Sequence, residues 1–389
     1  MLRDTKQVPF RLPPPAAVRV DVLIIAGEHS GDEHAARMVR ELRAKQPGLA
    51  IAALGGPKLA AAGAQLLQDL TGVSAIGFAA VGRLQFYRKL IAEIVRWTGE
   101  HRPRAICLVD SSGLNLRIAR GLFERRISAK AGGATKALYY ISPQIWASRA
   151  KRRFQMAQHL DGLASIFPFE RKVYADTALP VEFVGHPFLA PDHVSPVRYD
   201  RAGPVLLLPG SRKSAVARIF PVLLDGFRAF GQRDAVVLYP STEILDVLRS
   251  GPLPPNVQLV PLTEGRAPLG ASAVLTSSGT MSMQCALAGI PGAIAYRTDP
   301  ITYWIGRMIL TVEYLGIANI LLGEPMYPEY IQNAATPAAL AAELRACVQE
   351  PARQARTATQ AVRLRALLSV PASGTAADWV GRHLEKTGP

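Results

Sequence analysis

Two stretches in the second half of the sequence combine small polar residues with the start of a helical pattern. In LLLPGSRKSAVARIFP, residues 205–208 are predicted as a strand, Pro209 and Gly210 as a turn, and Ser211 and Arg212 as the mouth of a helix. Backbone N–H groups and the helix dipole favour an anion there, and an arginine fork suits phosphate oxygens. The stretch predicts a phosphate site, although a helix cap followed by a solvent-facing arginine explains it equally well.

The stretch LTSSGTMSMQCALAGIPGAIAYR, residues 275–297, repeats this arrangement. Ser278, Gly279 and Thr280 place small groups and backbone donors before another predicted helix, which also carries Gln284. Ordinary helix caps would explain one such loop. Two loops of this kind in one half of the chain favour the binding of a single nucleotide diphosphate.

A third polar loop lies near the start of the chain, in AGEHSGDEHAAR. It holds Gly27, Ser30, Gly31 and Asp32, which we expect in a flexible loop between a strand and a helix. The sequence has neither the G-x-G-x-x-G fingerprint nor the P-loop motif G-x-x-x-x-G-K-[ST]. A dinucleotide fingerprint or P-loop site is therefore not predicted.

One carboxylate follows a strongly apolar strand pattern. Asp110 comes directly after AICLV, so we expect its side chain at the end of a buried strand, at the rim of a ligand cleft. A carboxylate at that place is a candidate general base. Capping of the next helix is an equally good explanation, and the residues alone leave both open.

The segments that must position these residues alternate between short apolar strands and amphipathic helices. RVDVLIIAGEHSGDEHAARMVRELRAK shows the pattern first, and later segments repeat it. Such alternation favours βαβ units and open parallel sheets. The predicted fold class is α/β, with two doubly wound Rossmann-like domains that face each other across a ligand-binding cleft.

A polar, Pro-rich stretch at residues 186–204 separates the two predicted domains. We expect a disordered, Pro-rich leader over residues 1–19 and Rossmann-like domains over residues 20–190 and 200–345. Residues 346–389 are predicted as helices that pack back on the first domain or on a partner subunit.

Composition restricts the classes of function. The 389 residues carry a formal net charge of +15, which favours an acidic partner such as nucleic acid, an anionic membrane surface or a phosphorylated ligand. A general basic bias of the proteome is the alternative. Nucleic acid is not expected, since zinc-finger and RNP patterns are missing and the arginines are dispersed.

The cysteines and the leader bear on the compartment. Cys107, Cys285 and Cys347 have neither pairing nor metal-ligand spacing, so we expect no disulfide and no metal site. Charges and prolines interrupt the leader where a secretory signal needs an apolar core, and no run of about 18 apolar residues occurs. The expected location is the cytoplasm.

The segment TGVSAIGFAAVGRLQFYRKLIAEIVRW, residues 71–97, combines apolar side chains with Arg83, Arg88 and Lys89. One explanation is a helix and loop that pack into the core. The other is an apolar lip with basic flanks that rests on anionic lipid or grips acyl chains. Periodicity does not separate the two.

A series of specific blocks runs in order from about residue 20 to residue 345. In the first half they are AGEHSGD (26–32), GGPKLAAAG (55–63), IGFAAVGRL (76–84), DSSGLN (110–115) and YYISPQIWASRAKR (139–152). Further on they are FPFE (167–170), FVGHP (183–187), LLPGSR (207–212), SSGTMSMQCAL (277–287), AYR (295–297) and ANILLGEPMYPEYIQ (318–332). Together they resemble the lipid-A-disaccharide synthase family, inverting glycosyltransferases of the GT-B fold in glycosyltransferase family 19.

The resemblance implies transfer of 2,3-diacylglucosamine from its UDP donor to the 6-hydroxyl of 2,3-diacylglucosamine 1-phosphate in lipid A biosynthesis. A β-1,6 link forms and UDP is released. The UDP-linked sugar is a substrate, and neither a cofactor nor a metal is implied. The implied partners are these two acylated sugars and the anionic inner face of the cytoplasmic membrane, with a homodimer as one option for the oligomeric state.

The resemblance also assigns roles to residues. Asp110 is implied as the catalytic base and Arg212 as the group that neutralises the UDP leaving group. Binding of the UDP-sugar is implied for Gly210, Ser211, Arg212, Ser278, Gly279, Thr280, Gln284, Asn319 and Gln332 in the C-terminal domain. Contact with the acylated acceptor is implied for Ser30, Gly31, Asp32, Asn115, Ser142 and Trp146 in the N-terminal domain.

Four positions that are acidic in the family pattern are not acidic here: Ala80, Gly113, Ala215 and Gln284. A carboxylate at position 284 would accept hydrogen bonds from both ribose hydroxyls, and an amide keeps part of this capacity at a loss of about 1–3 kcal/mol. The departures leave two alternatives open: a non-catalytic paralogue that binds UDP-sugar or lipid, and a transferase with a different acylated amino-sugar substrate. A UDP-sugar epimerase of the same two-domain shape is a third.

Overall fold

The computed structural model describes residues 10–71, 80–263, 266–299, 303–304 and 312–385, and for residues 80–84 the backbone alone. The chain divides into two compact units. Unit 1 comprises Met1–Pro187 and Pro371–Pro389, and unit 2 comprises Phe188–Val370. Parallel strands and helices alternate in both, which confirms the predicted α/β fold class.

Unit 1 is built on a parallel sheet. Its strands are β1 (Val22–Ala26), β2 (Ile51–Gly55), β3 (Gln65–Asp69), β4 (Ala105–Val109), β5 (Lys136–Tyr140), β6 (Gly162–Ser165) and β7 (Val181–Phe183). Across the described residues the seven strands lie in the order β3-β2-β1-β4-β5-β6-β7. The central strands β1 and β4 are buried along their whole length, as their nearly continuous apolar sequences predict.

Helices cover both faces of this sheet. They are α1 (His29–Lys45), α2 (Pro57–Ala61), α3 (Ala80–His101), α4 (Ser112–Glu124), α5 (Arg152–His159), α6 (Glu170–Val173) and, from the end of the chain, α13 (Ala376–Glu385). Alternate residues of β1 point to opposite faces, so Leu23 and Ile25 lie in one apolar cluster and Val22 and Ile24 in another. Trp379 of α13 is buried in the second cluster.

Unit 2 repeats the arrangement. Its strands are β8 (Val197–Tyr199), β9 (Val205–Leu208), β10 (Ala235–Tyr239), β11 (Val257–Pro261), β12 (Leu269–Ala271), β13 (Ala273–Thr276), β14 (Gly292–Tyr296) and β15 (Glu329–Ile331). Among the residues described there, six form a parallel sheet in the order β11-β10-β9-β13-β14-β15, and β8 pairs with β12. The helices are α7 (Lys213–Phe230), α8 (Thr242–Leu248), α9 (Thr280–Leu287), α10 (Ile317–Leu322), α11 (Pro337–Gln349) and α12 (Pro351–Leu368).

Both sheets share one topological feature. In unit 1 the chain runs outward from β1 through β2 to β3 and then returns to β4 on the other side of β1; in unit 2 it runs from β9 through β10 to β11 and returns to β13. Sheets of this kind bind ligands outside the carboxyl ends of the two strands where the order reverses. The loops after β1 and β4, and those after β9 and β13, are therefore the places to look for sites.

Two expectations about the N-terminal region are corrected. The flexible loop expected at Ser30, Gly31 and Asp32 is wrong, because α1 begins at His29 and these residues form its first turn. The leader is not disordered throughout: Leu12 is buried, its N–H donates to Glu93 Oε1 at 2.7 Å, and Trp97 Nε1 donates to the carbonyl of Pro13 at 2.9 Å. Apolar contact with α3 holds this part, while residues 1–9 lie outside the described residues.

No helix in the described part of the chain is both long enough and apolar enough to cross a membrane. In the segment 71–97, residues 72–79 and the side chains of residues 80–84 lie outside the described residues, and so does that part of the apolar lip. In the rest of the segment, Leu90, Ile94 and Trp97 of α3 are buried in the first apolar cluster, as the core-packing explanation predicts.

Candidate functional site

The loops after β1 and β4 meet at the sheet reversal of unit 1. Ala26 pairs with Val109 across the two strands, so Gly27 and Asp110 follow neighbouring strand ends. Asp110 and Ser111 have φ values of 52° and 39°, which lie in the left-handed region that residues other than glycine rarely adopt. Consecutive residues in such a conformation persist where the surroundings hold them, and they concentrate at functional sites.

Two side chains hold this turn. Asn115, fully buried in α4, donates from Nδ2 to the carbonyls of Val109 and Asp110, each at 2.9 Å. The Tyr139 hydroxyl donates to the Asp110 carbonyl as well. The backbone of Asp110 is thereby fixed while its half-buried side chain keeps access to solvent.

The turn also carries unused polar atoms. Ser111 Oγ and Asn115 Oδ1 are buried and have no hydrogen-bond partner within the described residues. Buried polar atoms without partners are uncommon in proteins, because each costs about 1–3 kcal/mol. The Asp110 turn thus combines backbone strain with unsatisfied acceptors, features more typical of a working site than of a structural turn.

Asp32 organises the backbone beside this turn. It is 2% exposed; its Oδ1 accepts from the N–H groups of Gly56 at 2.8 Å and Leu59 at 3.2 Å, and its Oδ2 from the N–H of Lys58 at 3.1 Å. The carboxylate therefore caps the N-terminus of α2. Ser30 is half-buried and Gly31 buried in the same helical turn.

Ser142 and Trp146 belong to a second polar group in unit 1, which centres on a carboxyl that sequence reasoning missed. Glu170 is fully buried; Trp146 Nε1 donates to its Oε1 and the Phe167 N–H to its Oε2, both at 3.2 Å. Ser142 Oγ lies 2.8 Å from the hydroxyl of Tyr174. Burial raises the pKa of Glu170 to about 8, against the opposing effect of these hydrogen bonds.

The signal for Glu170 was an acid inside the apolar motif FPFE. The ring of Trp146 lies edge-on to those of Phe167 and Phe169, with centroids 6.4 and 5.1 Å away. An acid surrounded by aromatic rings is held neutral more easily than one in water. Glu170 thus ties the Trp146 loop to the segment that begins α6.

In unit 2 the predicted strand, turn and helix boundaries around Gly210 are confirmed, since β9 ends at Leu208 and α7 begins at Lys213. The second loop also lies where the sequence placed it, with Gly279 preceding α9. The two loops adjoin: Gly210 has φ +109°, and a β-carbon there would lie 3.1 Å from Ser277 Oγ. Glycine permits both the conformation and the close approach.

Exposed groups surround this meeting point. The predicted site residues at the mouths of α7 and α9 that are open to solvent are Gly210, Ser211, Arg212, Gly279 and Thr280, and Lys213 and Ser214 in the first turn of α7 are exposed beside them. Two helix N-termini side by side concentrate N–H donors and positive potential, which suits two linked phosphates. Ser278 differs from its neighbours because its Oγ donates to the carbonyl of Leu315 at 3.1 Å.

Gln284 has a partner that sequence reasoning missed. Its Oε1 lies 3.1 Å from Nε2 of His193, and the His193 ring stacks on Phe188 with centroids 5.1 Å apart. Gln284 is 9% exposed. His193 lies in the Pro-rich linker, about ninety positions before Gln284, so no local pattern connects the two.

The side-chain amides of Asn319 and Gln332 form hydrogen bonds with other protein groups. Asn319 is fully buried; its Nδ2 donates to Tyr327 O at 2.7 Å and Glu329 Oε1 at 2.8 Å. Glu329 also accepts from the N–H groups of Leu315 and Gly316. Gln332 exchanges hydrogen bonds of 2.8 and 3.0 Å with the backbone of Thr298.

These contacts hold the segments that follow β14 and precede β15. Glu329, which sequence reasoning did not single out, stands in the block ANILLGEPMYPEYIQ, where its role depends on backbone groups far from it in sequence. It is the acceptor that fixes the start of α10.

The positions that depart from the family pattern have different environments. A β-carbon on Gly113 would meet no atom within 4 Å. Ala215 is half-buried in the first turn of α7. The side chain of Ala80 lies outside the described residues. In the part of the chain that the structure describes, no group of three or more His, Cys, Asp or Glu side chains is arranged to hold a metal ion.

Comparisons with known proteins agree with this geometry. The family model for Lipid-A-disaccharide synthetase matches residues 22–373. The lipid-A-disaccharide synthase of Nitrosococcus oceani is 32% identical over 343 residues, covering 83% of this chain and 85% of the relative. That of Geobacter metallireducens is 32% identical over 367 residues, covering 88% and 92%.

Solved structures show the same architecture. The calicheamicin glycosyltransferase CalG4 matches with a TM-score of 0.56 at 16% identity, covering 95% of this chain and 100% of that chain. At that identity the likeness concerns the fold alone, and it confirms the predicted GT-B fold class.

Proposed function

The chain belongs to the lipid-A-disaccharide synthetase family, and we propose below how its own residues carry out the family's reaction. It is a glycosyltransferase of the lipid-A-disaccharide synthase type. The proposed donor is UDP-2,3-diacylglucosamine and the proposed acceptor is 2,3-diacylglucosamine 1-phosphate. The observation that carries the assignment of residues is the strained turn at Asp110, at the sheet reversal of unit 1.

Asp110 is the proposed general base. Its carboxylate takes the proton from the acceptor 6-hydroxyl as that oxygen attacks C1 of the donor sugar. The bond between C1 and the diphosphate oxygen breaks on the opposite face, so the configuration at C1 inverts and a β link forms. Asn115 and Tyr139 hold the Asp110 backbone, so they position the base.

The UDP leaving group is proposed to lie at the mouths of α7 and α9. The exposed N-terminal turns supply backbone donors, and Arg212 supplies a permanent positive charge as the diphosphate becomes a leaving group. Gln284, held by His193, is proposed to face the ribose. Asn319, Gln332 and Glu329 are assigned to positioning, because their hydrogen bonds go to protein groups.

On the acceptor side, Ser30, Gly31 and Asp32 shape the wall beside Asp110, and Ser142 and Trp146 form the neighbouring loop. Asp32 acts through the α2 backbone that it caps. We further propose that the protein works at an anionic membrane surface, since the chain carries a net charge of +15 and both proposed substrates are acylated. The proposal includes a homodimer as one option for the oligomeric state.

UDP release from the two substrates in mixed micelles tests the assignment. Asp110→Asn, which preserves shape, is expected to lower the rate about 100-fold or more while UDP still binds. Asp176→Asn is the matched control, because it removes an exposed carboxylate, ion-paired with Arg153, from the same unit. Equal rates for wild type and Asp110→Asn would overturn the role of Asp110, and absence of release by the wild type would overturn the proposed substrates.

A further inference from the structure

Three arginines gather where α4 packs on α5 in unit 1. Arg117 is on α4, Arg149 is in the loop before α5, and Arg152 is the first residue of α5. The two helices contact each other through Phe123 and His159, whose ring centroids are 5.1 Å apart. Arg117, Arg149 and Arg152 are called the arginine cluster below.

In the part of the chain that the structure describes, the arginine cluster has no ion-pair partner. Among the described residues none of its three guanidinium groups makes an ion pair, whereas their neighbours do: Arg120 pairs with Glu124, and Arg153 pairs with Asp176, each at 2.6 Å. The helices that carry the cluster thus hold paired and unpaired arginines side by side.

Holding these positive charges together costs free energy, because like charges repel and one of them is partly buried. Arg152 is half-buried, and its pKa is lowered first by burial and then by the charges of Arg149 and Arg117. Arg149 has φ 59°, and its carbonyl accepts from the N–H of Arg152 at 2.9 Å. The left-handed backbone of Arg149 is strained, and it brings the partly buried Arg152 close to a like charge. A bound anion would relieve the repulsion between the arginines.

The cluster lies beside the Asp110 turn. Burial raises the pKa of the Tyr139 phenol, the Asp110 carboxylate adds to that rise, and Arg152 opposes it. Tyr139 is therefore close to both charged groups, and its hydroxyl donates to the Asp110 carbonyl. Arg117 lies two residues after Asn115, which holds the same carbonyl.

We propose that Arg117, Arg149 and Arg152 form a binding site for a phosphate monoester, and that the ligand is the 1-phosphate of the acceptor sugar. This inference rests on the proposed function. Planar guanidinium groups bind a phosphate dianion through paired hydrogen bonds. In a hexose 1-phosphate C1 and C5 both adjoin the ring oxygen, so the 1-phosphate and the 6-hydroxyl lie at the same edge of the sugar, and a base and an anion site side by side suit one acceptor.

The kinetic test compares acceptors with and without the 1-phosphate. Arg149→Gln and Arg152→Gln are each expected to raise KM for the phosphorylated acceptor about 10-fold or more, with kcat and UDP affinity nearly unchanged. With 2,3-diacylglucosamine as acceptor the same variants and the wild type should react alike. Arg120→Gln and Arg153→Gln, which remove paired charges from α4 and α5, should change neither value. Equal KM increases for both acceptors would overturn the proposal.

Inorganic phosphate provides a readout that does not need turnover. In thermal melts with saturating UDP, which occupies the proposed diphosphate site at the mouths of α7 and α9, it should raise the Tm of the wild type, and in kinetic assays it should compete with the acceptor. Both effects should disappear in the Arg117→Gln/Arg149→Gln/Arg152→Gln variant. If the wild type releases no UDP but phosphate still binds at the cluster, the proposed function fails while the anion site stands. Phosphate protection that is unchanged in the triple variant would overturn the site.

The same phosphate chemistry occurs in lipid headgroups, so a second arm distinguishes the source. Sedimentation with vesicles of phosphatidylglycerol, and with vesicles of phosphatidylcholine as control, should be equal for the wild type and the triple variant. Loss of binding to the anionic vesicles alone, with the acceptor KM unchanged, would assign the cluster to a membrane surface and overturn the acceptor site.

Discussion

A β-carbon on Gly27 would lie 2.9 Å from Oγ of Ser111. The two residues follow the neighbouring strands β1 and β4, and Ser111 is held in a left-handed conformation. The turn that presents Asp110 therefore rests directly against the backbone at Gly27, and any side chain there must push it away.

Gly27→Ala is expected to displace Ser111 and with it Asp110. Overpacking of this kind costs about 1–3 kcal/mol of stability, and the rate of UDP release should fall at least about 10-fold, since a small misplacement of a catalytic group has large effects. Steady-state kinetics and urea unfolding of the purified variant measure the two effects.

Gly113→Ala is the matched control for Gly27→Ala. A β-carbon there meets no atom within 4 Å, and alanine favours a helix over glycine by as much as about 1 kcal/mol. Its activity should equal that of the wild type and its stability should be equal or higher. If both variants behave alike, the turn is not sterically confined as described.

Gly113→Asp restores an acid of the family pattern in open space. Position 113 lies in the first turn of α4, where a carboxylate gains about 0.3–1 kcal/mol from the helix dipole. We expect a higher free energy of unfolding and UDP release no slower than that of the wild type. If urea titrations show that Gly113→Asp is less stable than the wild type, position 113 is not in open space as described.

Gln284→Glu should strengthen nucleotide binding. The carboxylate can accept from the ribose and from His193 together, and a charge-assisted hydrogen bond exceeds a neutral one by about 1 kcal/mol or more. UDP affinity from titration calorimetry should rise about 5-fold or more. Gln258→Glu adds the same charge at an exposed position of β11 and should leave the affinity unchanged; an equal rise there would point to bulk charge instead of the ribose contact.

Glu170 predicts a specific dependence of stability on pH. Its pKa is raised by burial to about 8 in the folded state from an ordinary value of 4.5, so the folded protein binds the proton more tightly than the unfolded chain. The free energy of unfolding should therefore fall as pH rises from about 4.5 to about 8 and level off above that.

Glu170→Gln should flatten that part of the pH profile, because the amide does not titrate. Urea unfolding at pH 5, 7 and 9 measures the difference from the wild type. Glu33→Gln, which replaces a largely exposed carboxylate 2.9 Å from Lys58, should keep the wild-type fall between pH 5 and pH 8. A parallel fall in Glu170→Gln would assign the pH dependence to other groups.

Much of the fold and part of the candidate site could be predicted from local pattern. β9 and the start of α7 agree with prediction because an apolar strand, a Pro-Gly turn and a helix appear in consecutive residues. The predicted start of α1 is wrong, since Asp32 and the glycines around it are typical of loops. In the structure Asp32 lies in the first turn of α1 and caps α2, a contact that no local pattern shows.

The remaining features depend on contacts across long sequence separations. His193 meets Gln284 only when the linker folds back on α9, and Glu329 gains its role from backbone donors near Leu315. The left-handed conformations of Asp110 and Ser111 have no local signal, because neither residue is a glycine. Such features follow from tertiary structure and overrule local preference.

The return of α13 to unit 1 has a consequence for synthesis in the cell. Residues 10–187 are synthesised first. The apolar surface of unit 1 that Trp379 and Val380 cover stays exposed until the whole of unit 2 has been synthesised. At roughly 5–20 residues per second this delay is on the order of ten seconds or longer. The nascent chain thus exposes an apolar surface during translation. Chaperones that bind such surfaces have time to bind it before α13 packs on unit 1.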